Sequence, residues 1–239
     1  MATRILLVGY GRMGKIVDGL AADYGCEVVG IADPAAGKGT LDAAIEHASG
    51  RVDAAVDFSL PEAVAANVPA LASRRINIVI GTTGWGDKAA ALRQAADAAG
   101  IGVVAAPNFS TGVVLFDALV ARAAQLVAAH PDFGAFVHEA HHAAKKDAPS
   151  GTALLLKESM VRAGFSRSID MASTRAGFIP GTHTVGFDGP AETITLTHAA
   201  RDRTAFARGA LLAAKWVTGR RGWFTMRDVL GLNQEGGSQ

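Results

Sequence analysis

The sequence predicts an α/β protein in which a doubly wound parallel sheet is followed by a second, α+β domain. Over residues 5–105, short apolar runs alternate with segments of helical periodicity. A turn with the pattern G-x-G-x-x-G follows the first apolar run directly. After residue 169 the alternation ends, and segments rich in Thr, Val and Ile follow, as in an antiparallel or mixed sheet. Together these observations favour two layered domains.

Composition narrows the classes of protein to consider. The chain has 239 residues, of which 49% are hydrophobic, so it can bury a substantial core. Its formal net charge is +1, with both signs interspersed, which gives no electrostatic reason to expect nucleic acid or a membrane surface as a partner. Cys26 is the only cysteine, so an internal disulfide is excluded, and we interpret it as a small buried apolar residue.

Targeting features are not expected from the sequence. The apolar run near the N-terminus is too short for a signal peptide, and no continuous apolar stretch reaches the roughly 18 residues of a membrane span. We therefore expect a soluble protein in the reducing cytoplasm. Only the polar, glycine-rich tail from Glu235 to Gln239 is expected to be disordered.

The first strand and the turn after it predict a dinucleotide site. Residues 5–8 form a short apolar run, as in a strand buried on both faces, and helical spacing resumes from Ile16. The glycines between them allow a tight turn that opens a helix, whose N-terminus can receive a pyrophosphate. The candidate cofactor-binding residues of this turn are Gly9, Tyr10, Gly11, Arg12, Met13 and Gly14.

Asp33 supports a Rossmann-type site and favours NADH. It ends the second apolar run, residues 26–32, and a carboxylate at this place accepts hydrogen bonds from a ribose 2′-hydroxyl. The same carboxylate repels a 2′-phosphate, and Pro34 stands where an arginine would favour one. NADPH stays possible because Lys38 or Arg12 can reach a phosphate.

The strand and helix alternation continues to residue 105. Strands are predicted at 54–59, 76–80 and 101–105, with helices starting at Pro61 and spanning 87–99. Ligands of such sheets bind beyond the carboxyl ends of the strands. The loops at two of these ends are Gly81, Thr82, Thr83 and Ala106, Pro107, Asn108, Phe109; turn chemistry alone leaves them as ligand loops or plain connectors.

The second half predicts a separate substrate-binding and oligomerisation domain. We expect helices at 113–129, 153–163 and 203–217, and strands at 132–139, 169–175, 182–187 and 192–198. Residues 222–232 then return to the first domain. The expected division is 1–108 plus 218–239 for the dinucleotide-binding domain and 109–217 for the second domain.

Chemistry is concentrated in residues 138–152, which we call the histidine segment. It contains three histidines and two lysines within nine positions, just before residues 149–152, the expected entry to the helix at 153–163. Asp147 is expected to shape this turn and to cap the helix entry. Basic side chains beside free helix N–H groups favour an anionic ligand. His138 to His142 also match H-E-x-x-H, the zinc-peptidase motif, but that motif requires a helix, whereas the preceding Phe, Gly and Val residues favour a strand. We therefore expect no metal.

The histidine segment resembles the signature of the 4-hydroxy-tetrahydrodipicolinate reductase (dihydrodipicolinate reductase) family. The matching residues are Glu139-Ala140-His141-His142, Lys145, and Asp147 to Ala153, with further similarity at 175–185. The resemblance implies NAD(P)H-dependent reduction of a cyclic dicarboxylate with loss of water, in diaminopimelate and lysine biosynthesis, by a homotetramer. It also implies that the loops after residues 80 and 105 border the nicotinamide and its ribose.

The resemblance also implies roles for single residues. His141 matches the general acid, and Lys145 supplies positive charge and a proton. His142, Gly151 and Thr152 would hold a substrate carboxylate. Two alternatives remain: another two-domain NAD(P)-dependent oxidoreductase of a small anionic substrate, similar to an aspartate dehydrogenase, or a dinucleotide-sensing protein without catalysis.

Overall fold

A computed structural model of the chain describes residues 1–233 and separates them into two compact units. The first unit contains Met1–Thr111 and the described residues from Arg203 onwards, and the second contains Gly112–Asp202. The expectation for the tail from Glu235 lies outside the described residues.

The first unit is built on a six-stranded, wholly parallel sheet. Its strands are β1 Thr3–Val8, β2 Cys26–Ala32, β3 Ala54–Asp57, β4 Asn77–Ile80, β5 Gly102–Ala105 and β10 Gly222–Phe224. The order across the sheet is β10-β5-β4-β3-β1-β2. The central strands β3 and β4 are buried at every position, because helices cover both faces, and this explains why their sequences are apolar except for Asp57 and Asn77.

Helices cover both faces of this sheet, so the predicted doubly wound Rossmann-type fold is confirmed. The helices are α1 Arg12–Ala21, α2 Leu41–His47, α3 Pro61–Ser73, α4 Ala89–Ala99, α7 Thr204–Val217 and α8 Met226–Val229. One face packs on α2, α3 and α4, and α7 packs against α1 and against β3, β4 and β5. The order of the strands reverses between β1 and β3, where doubly wound sheets bind their ligands.

Helix α7 lies in the first unit, whereas the sequence placed residues 203–217 in the second domain. Seven of its fourteen residues are buried, and they cover the sheet face that α1 leaves open. Gly209 permits the close approach: a Cβ there would lie 1.7 Å from the carbonyl oxygen of Phe109. The chain therefore returns to the first unit at Arg203, one helix earlier than expected.

The second unit is a four-stranded mixed sheet with helices on one face. Its strands are β6 Gly134–His141, β7 Ile169–Arg175, β8 Thr182–Asp188 and β9 Thr193–Ala199, in the order β7-β6-β8-β9. Only the β6–β7 pair is parallel. Residues of α5 Thr111–Ala128 and α6 Gly151–Arg162 pack on the sheet to form the core, and the predicted second α+β domain is confirmed.

Side chains alternate between the two faces of this sheet. On β6 the odd-numbered residues 135–141 are buried and the even-numbered ones are only half-buried. The face opposite the helices carries Phe136 and a group of threonines: Thr174, Thr182, Thr184, Thr193, Thr195 and Thr197. No element of the described second unit packs as a layer on that face.

Helix α5 is the longest helix of the second unit and is strongly apolar. It has 18 residues with a mean hydropathy of 1.5, which is long and apolar enough to cross a membrane by length and composition alone. Asp117 and Arg122 interrupt its apolar run, which is why no continuous stretch stood out in the sequence. Its buried residues, including Phe116 and Val120, belong to the core of the second unit.

Candidate active site

The glycines of the turn after β1 are required by close packing. Gly9 has φ of 88°, and a Cβ at this position would lie 2.5 Å from the carbonyl oxygen of Phe58. A Cβ at Gly14 would lie 2.2 Å from the carbonyl oxygen of Gly9. The strand-to-helix turn therefore admits glycine only at these two positions, as a dinucleotide-binding turn requires.

The start of α1 is open to an anion. Gly11 is the N-cap residue, and no side chain caps the helix, so Arg12 and Met13 begin α1 with unsatisfied backbone N–H groups. A Cβ at Gly11 would meet no atom within 4 Å, which indicates free space in front of the helix.

Asp33 is fixed beside this turn by two backbone groups. Its carboxylate accepts hydrogen bonds from the N–H of Tyr10 at 2.7 Å and of Ala36 at 3.0 Å, and the bond from Tyr10 is the main reason that its pKa is lowered. The Tyr10 hydroxyl donates to Asp18 at 2.5 Å, and the Lys38 ammonium lies 5.4 Å from the centre of the Tyr10 ring. Asp33 is thus held as an anion at the carboxyl end of β2.

The loop after β4 is anchored by Asp57, a residue that was not predicted to belong to the site. The buried Asp57 carboxylate accepts hydrogen bonds from Thr82 Oγ1 at 3.0 Å, Ser59 Oγ at 2.6 Å and Asn67 Nδ2 at 2.9 Å. Its backbone carbonyl accepts from Gly81 N at 2.9 Å. The signal in the sequence is a carboxylate that ends an otherwise apolar strand.

The two predicted loops after β4 and β5 line one pocket of the first unit. Two tryptophan rings at its wall stand edge to face, with centroids 6.1 Å apart. The lining residues are Thr82, Thr83, Gly84, Trp85, Gly86, Ala105, Ala106, Pro107 and Trp223. The structure therefore brings five of the seven predicted loop residues to one cavity or beside it, since Gly81 directly precedes Thr82.

The remaining two residues of these loops have other contacts. Asn108 Oδ1 accepts a hydrogen bond from Ser110 N at 2.8 Å and so shapes the turn. The Phe109 side chain is buried and packs edge to face on Phe58, with ring centroids 6.4 Å apart. Because both side chains are engaged in these contacts, only the backbone of residues 108 and 109 is available to contact a cofactor.

In the second unit, the first residues of the histidine segment lie on strand β6. Glu139 and His141 point to the helix-covered face and are buried, whereas His138 points to the other face and bonds Thr174. The two histidines of the H-E-x-x-H pattern are therefore not one helical turn apart. Within residues 1–233, no three His, Cys, Asp or Glu side chains are grouped so that they could hold a metal ion.

Glu139 is the centre of a buried hydrogen-bond network. Its carboxylate accepts from Arg175 Nη1 at 2.8 Å, Arg175 Nη2 at 2.7 Å and Ser150 N at 3.2 Å, and it also bonds Nδ1 of His141. Burial raises the pKa of this carboxyl, but the hydrogen bonds from Arg175, Ser173 and His141 outweigh burial and lower the pKa to about 2. Glu139 is therefore an ionised, fully buried carboxylate.

Ser150 connects this network to the start of α6. Its hydroxyl accepts the helix-capping hydrogen bond from Ala153 N at 3.2 Å and bonds His183 Nε2 at 3.0 Å. Ser150, rather than the expected Asp147, is thus the helix cap. Gly151 and Thr152 form the first turn of α6, Gly151 exposed and Thr152 half-buried.

Lys145 is paired with Asp147 in the turn between β6 and α6. The ammonium donates to both carboxylate oxygens, at 2.6 and 2.8 Å, and this bond is the main reason that the pKa of Asp147 is lowered. Arg175 Nη2 donates to the backbone carbonyl of Asp147 at 2.5 Å. The guanidinium therefore links the turn that carries Lys145 to the carboxylate that holds His141.

His183 belongs to the same cluster, and sequence reasoning missed its role. Its ring lies edge to face with that of His141, with centroids 5.1 Å apart, and its Nδ1 is buried without a hydrogen-bond partner in the described structure. Burial lowers its pKa to about 4, so it is neutral near pH 7. The sequence signal is weak, because a histidine in a Thr-rich strand also suits a solvated surface.

Two protein-family models match the chain. The family model described as dihydrodipicolinate reductase, N-terminus, matches residues 3–109, and the one described as dihydrodipicolinate reductase, C-terminus, matches residues 112–230. The chain belongs to the dihydrodipicolinate reductase family. The resemblance seen in the histidine segment is confirmed over almost the whole chain.

Individual members of the dihydrodipicolinate reductase family support this assignment. The 4-hydroxy-tetrahydrodipicolinate reductase of Thiobacillus denitrificans is 39% identical, over 97% of this chain and all of that protein. The enzyme of the same name from Rhodopseudomonas palustris strain TIE-1 is 42% identical, over 80% of this chain and 77% of that protein. The solved dipicolinate-bound dihydrodipicolinate reductase of Paenisporosarcina sp. TG-14 has the same fold, with a TM-score of 0.78 at 23% identity over 94% of this chain and 98% of that one.

Proposed function

We propose that the protein is a 4-hydroxy-tetrahydrodipicolinate reductase of diaminopimelate and lysine biosynthesis, which uses NAD(P)H to form tetrahydrodipicolinate with loss of water. The observation that carries this proposal is the buried Glu139–His141 pair beside the open start of α6, in a chain of this family. Uptake of hydride and departure of the hydroxyl as water consume one proton in each turnover. The site must therefore hold a dicarboxylate and deliver a proton.

Residues of the second unit supply these two functions. The free N–H groups of Gly151 and Thr152, the Thr152 hydroxyl and the His142 ring bind one substrate carboxylate. His141 donates the proton, since the buried Glu139 carboxylate holds its Nδ1 and leaves Nε2 to face the substrate. Lys145 exchanges its partner Asp147 for the substrate and adds positive charge and a second proton source.

Residues of the first unit fit a dinucleotide cofactor. A bound reduced nicotinamide supplies the hydride. The glycine turn at residues 9–14 and the uncapped start of α1 receive the pyrophosphate, and Asp33 accepts the ribose hydroxyls. The loops of 81–83 and 106–109 border the nicotinamide end. Because Asp33 is held as an anion and Pro34 follows it, we propose NADH as the preferred cofactor over NADPH.

The remaining expectations concern assembly and location. The open face of the second sheet, with Phe136 and its threonines, is the surface through which we propose that four copies associate. A buried free thiol at Cys26 suits a reducing compartment, so we propose that the enzyme works in the cytoplasm. We propose no nucleic acid, membrane or metal partner.

The test is oxidation of NADH and NADPH with the cyclic substrate generated in situ. We expect substrate-dependent oxidation by the wild type, and a fall in kcat/KM of about 100-fold or more in His141→Ala and Lys145→Ala. Matched controls are His130→Ala and Lys146→Ala, both exposed, which should keep wild-type rates. Turnover only with another anionic substrate would favour the aspartate dehydrogenase-like alternative, and tight cofactor binding without any turnover would favour the sensing protein.

A further inference from the structure

We infer that Glu139 and Arg175 are positioning residues that hold His141 in one tautomer, with the proton on Nδ1 and the working nitrogen at Nε2. The inference rests on the proposed function for its effect on rate, but the tautomer itself is a property of the free protein. Glu139 is fully buried behind His141 and is not expected to touch substrate or cofactor, and Arg175 acts through it.

The acceptor character of Glu139 decides the tautomer. An ionised carboxylate accepts hydrogen bonds only, so the nitrogen that bonds it must carry a proton. Nδ1 of His141 bonds Glu139 Oε2 and is therefore the protonated nitrogen of the neutral ring. Nε2 then keeps its lone pair, and it becomes the donor when the ring takes up a second proton.

Nε2 is left without a hydrogen-bond partner among the described residues, as this role requires. A Cβ at Gly181, whose φ is 143°, would lie 3.1 Å from Nε2. A side chain at Gly181 would thus crowd the atom that must reach a ligand, and glycine keeps it clear.

Arg175 fixes the carboxylate in turn. It donates two parallel hydrogen bonds to Glu139 and further ones to the carbonyls of Asp147 and Thr174, at 2.5 and 2.8 Å. Its planar fork sets both the position and the plane of the carboxylate, which a single point charge does not do. The side chain is largely buried, so solvent does not compete strongly for these bonds.

The same hydrogen-bond network determines the orientation of the side-chain amide if a glutamine replaces Glu139. The Oε1 position of Glu139 faces two fixed donors, Arg175 Nη2 and Ser150 N, whereas Oε2 faces Arg175 Nη1 and the titratable ring of His141. The NH₂ group of a glutamine avoids the first position, where it would meet two donors. It therefore points to His141 and requires Nδ1 to accept, which moves the ring proton to Nε2.

The experiment is ¹⁵N NMR of histidine-labelled protein at alkaline pH, where imidazoles are neutral, combined with steady-state kinetics. The His141 signals are assigned by their loss in His141→Ala. We expect Nδ1–H in the wild type and Nε2–H in Glu139→Gln. We also expect kcat to fall by about 100-fold or more, with KM within about threefold of the wild-type value, because proton transfer is impaired while binding is kept. Glu158→Gln, the same change at an exposed site of α6, should alter neither.

The outcomes separate this inference from the proposed function. An Nε2–H ring in the wild type overturns the inference without any variant, so the test holds even if Glu139→Gln does not fold. A wild-type rate in a folded Glu139→Gln variant also overturns it. Absence of turnover in the wild type, with Nδ1–H present, instead overturns the proposed function and leaves the tautomer assignment standing.

Discussion

The guanidinium of Arg175 donates two parallel hydrogen bonds, of 2.8 and 2.7 Å, to the carboxylate of Glu139, which has no solvent exposure. An ion pair of this kind is favourable only while both partners are present, because either charge alone is costly to bury. Arg175 ends strand β7 and Glu139 lies near the end of β6, so their pairing also fixes the end of the sheet that carries the histidine segment.

Removing the guanidinium should destabilise the fold. Arg175→Met keeps the length of the side chain but leaves Glu139 without its main partner, and we expect a loss of about 3–5 kcal/mol in the free energy of unfolding. Urea denaturation at pH 7 measures it. Arg162→Met, which removes an exposed guanidinium 3.5 Å from Glu158, should change stability by less than about 0.5 kcal/mol. Equal effects of the two substitutions would contradict the importance of the buried pair.

His183 should make stability depend on pH in the mildly acidic range. Burial lowers its pKa from 6.5 to about 4, so the unfolded chain binds a proton there that the folded chain does not. Stability is therefore complete above about pH 6.5 and falls by about 3 kcal/mol as the pH drops towards 4. In His183→Gln this part of the pH dependence should disappear, whereas it should persist in His130→Gln, where the histidine is exposed. Unfolding free energies at several pH values provide the comparison.

The glycine turn offers a matched pair of substitutions within one helix. Gly14→Ala places a methyl group 2.2 Å from the carbonyl of Gly9, so the turn must open, and we expect NADH affinity to fall by about tenfold or more. At Gly19, also in α1, a Cβ meets nothing within 4 Å, so Gly19→Ala should keep affinity and stabilise the helix by up to about 1 kcal/mol. Titration calorimetry measures both affinities. Equal losses would argue against a cofactor role for this turn.

Asp33 should decide the preference between the two cofactors. Asp33→Ser removes the negative charge beside the ribose while keeping a hydroxyl that can accept from Tyr10 N. We expect the ratio of kcat/KM for NADH to that for NADPH to fall by about tenfold or more, because repulsion of the 2′-phosphate is lost. Asp42→Ser, an exposed carboxylate on α2, should leave the ratio unchanged. An unaltered ratio in Asp33→Ser would remove the basis for proposing NADH.

Local patterns in the sequence determined most of the first unit. Strands β1 to β5 are short, largely apolar runs, and each is visible without any knowledge of its partners. In β3 and β4 every residue is buried, because both faces of the sheet are covered. The glycine turn was equally visible, since only glycine fits where backbones approach as closely as Gly9 and Phe58 do. The histidine segment stood out because its motif is continuous in the chain.

Contacts between distant residues had to come from the tertiary structure. Helix α7 has a broad apolar side and an exposed side with Arg208 and Lys215, a pattern that fits either domain. Only its packing on β3 and β4 places it in the first unit. Asp57 anchors the loop after β4 through hydrogen bonds from Thr82 and Asn67, which follow it by 25 and 10 positions in the chain.

The same distinction between local patterns and distant contacts holds for the candidate site. The sequence by itself determined the fold class, because apolar residues repeat with the period of a strand or a helix. It also showed the glycine turn, His141 and Lys145, because their motifs are continuous in the chain. Only the tertiary structure decided that Glu139 is ionised and paired with Arg175, 36 positions away, and that Ser150, not Asp147, caps α6. A hydrogen bond depends on distance in space, which the spacing of residues along the chain does not give.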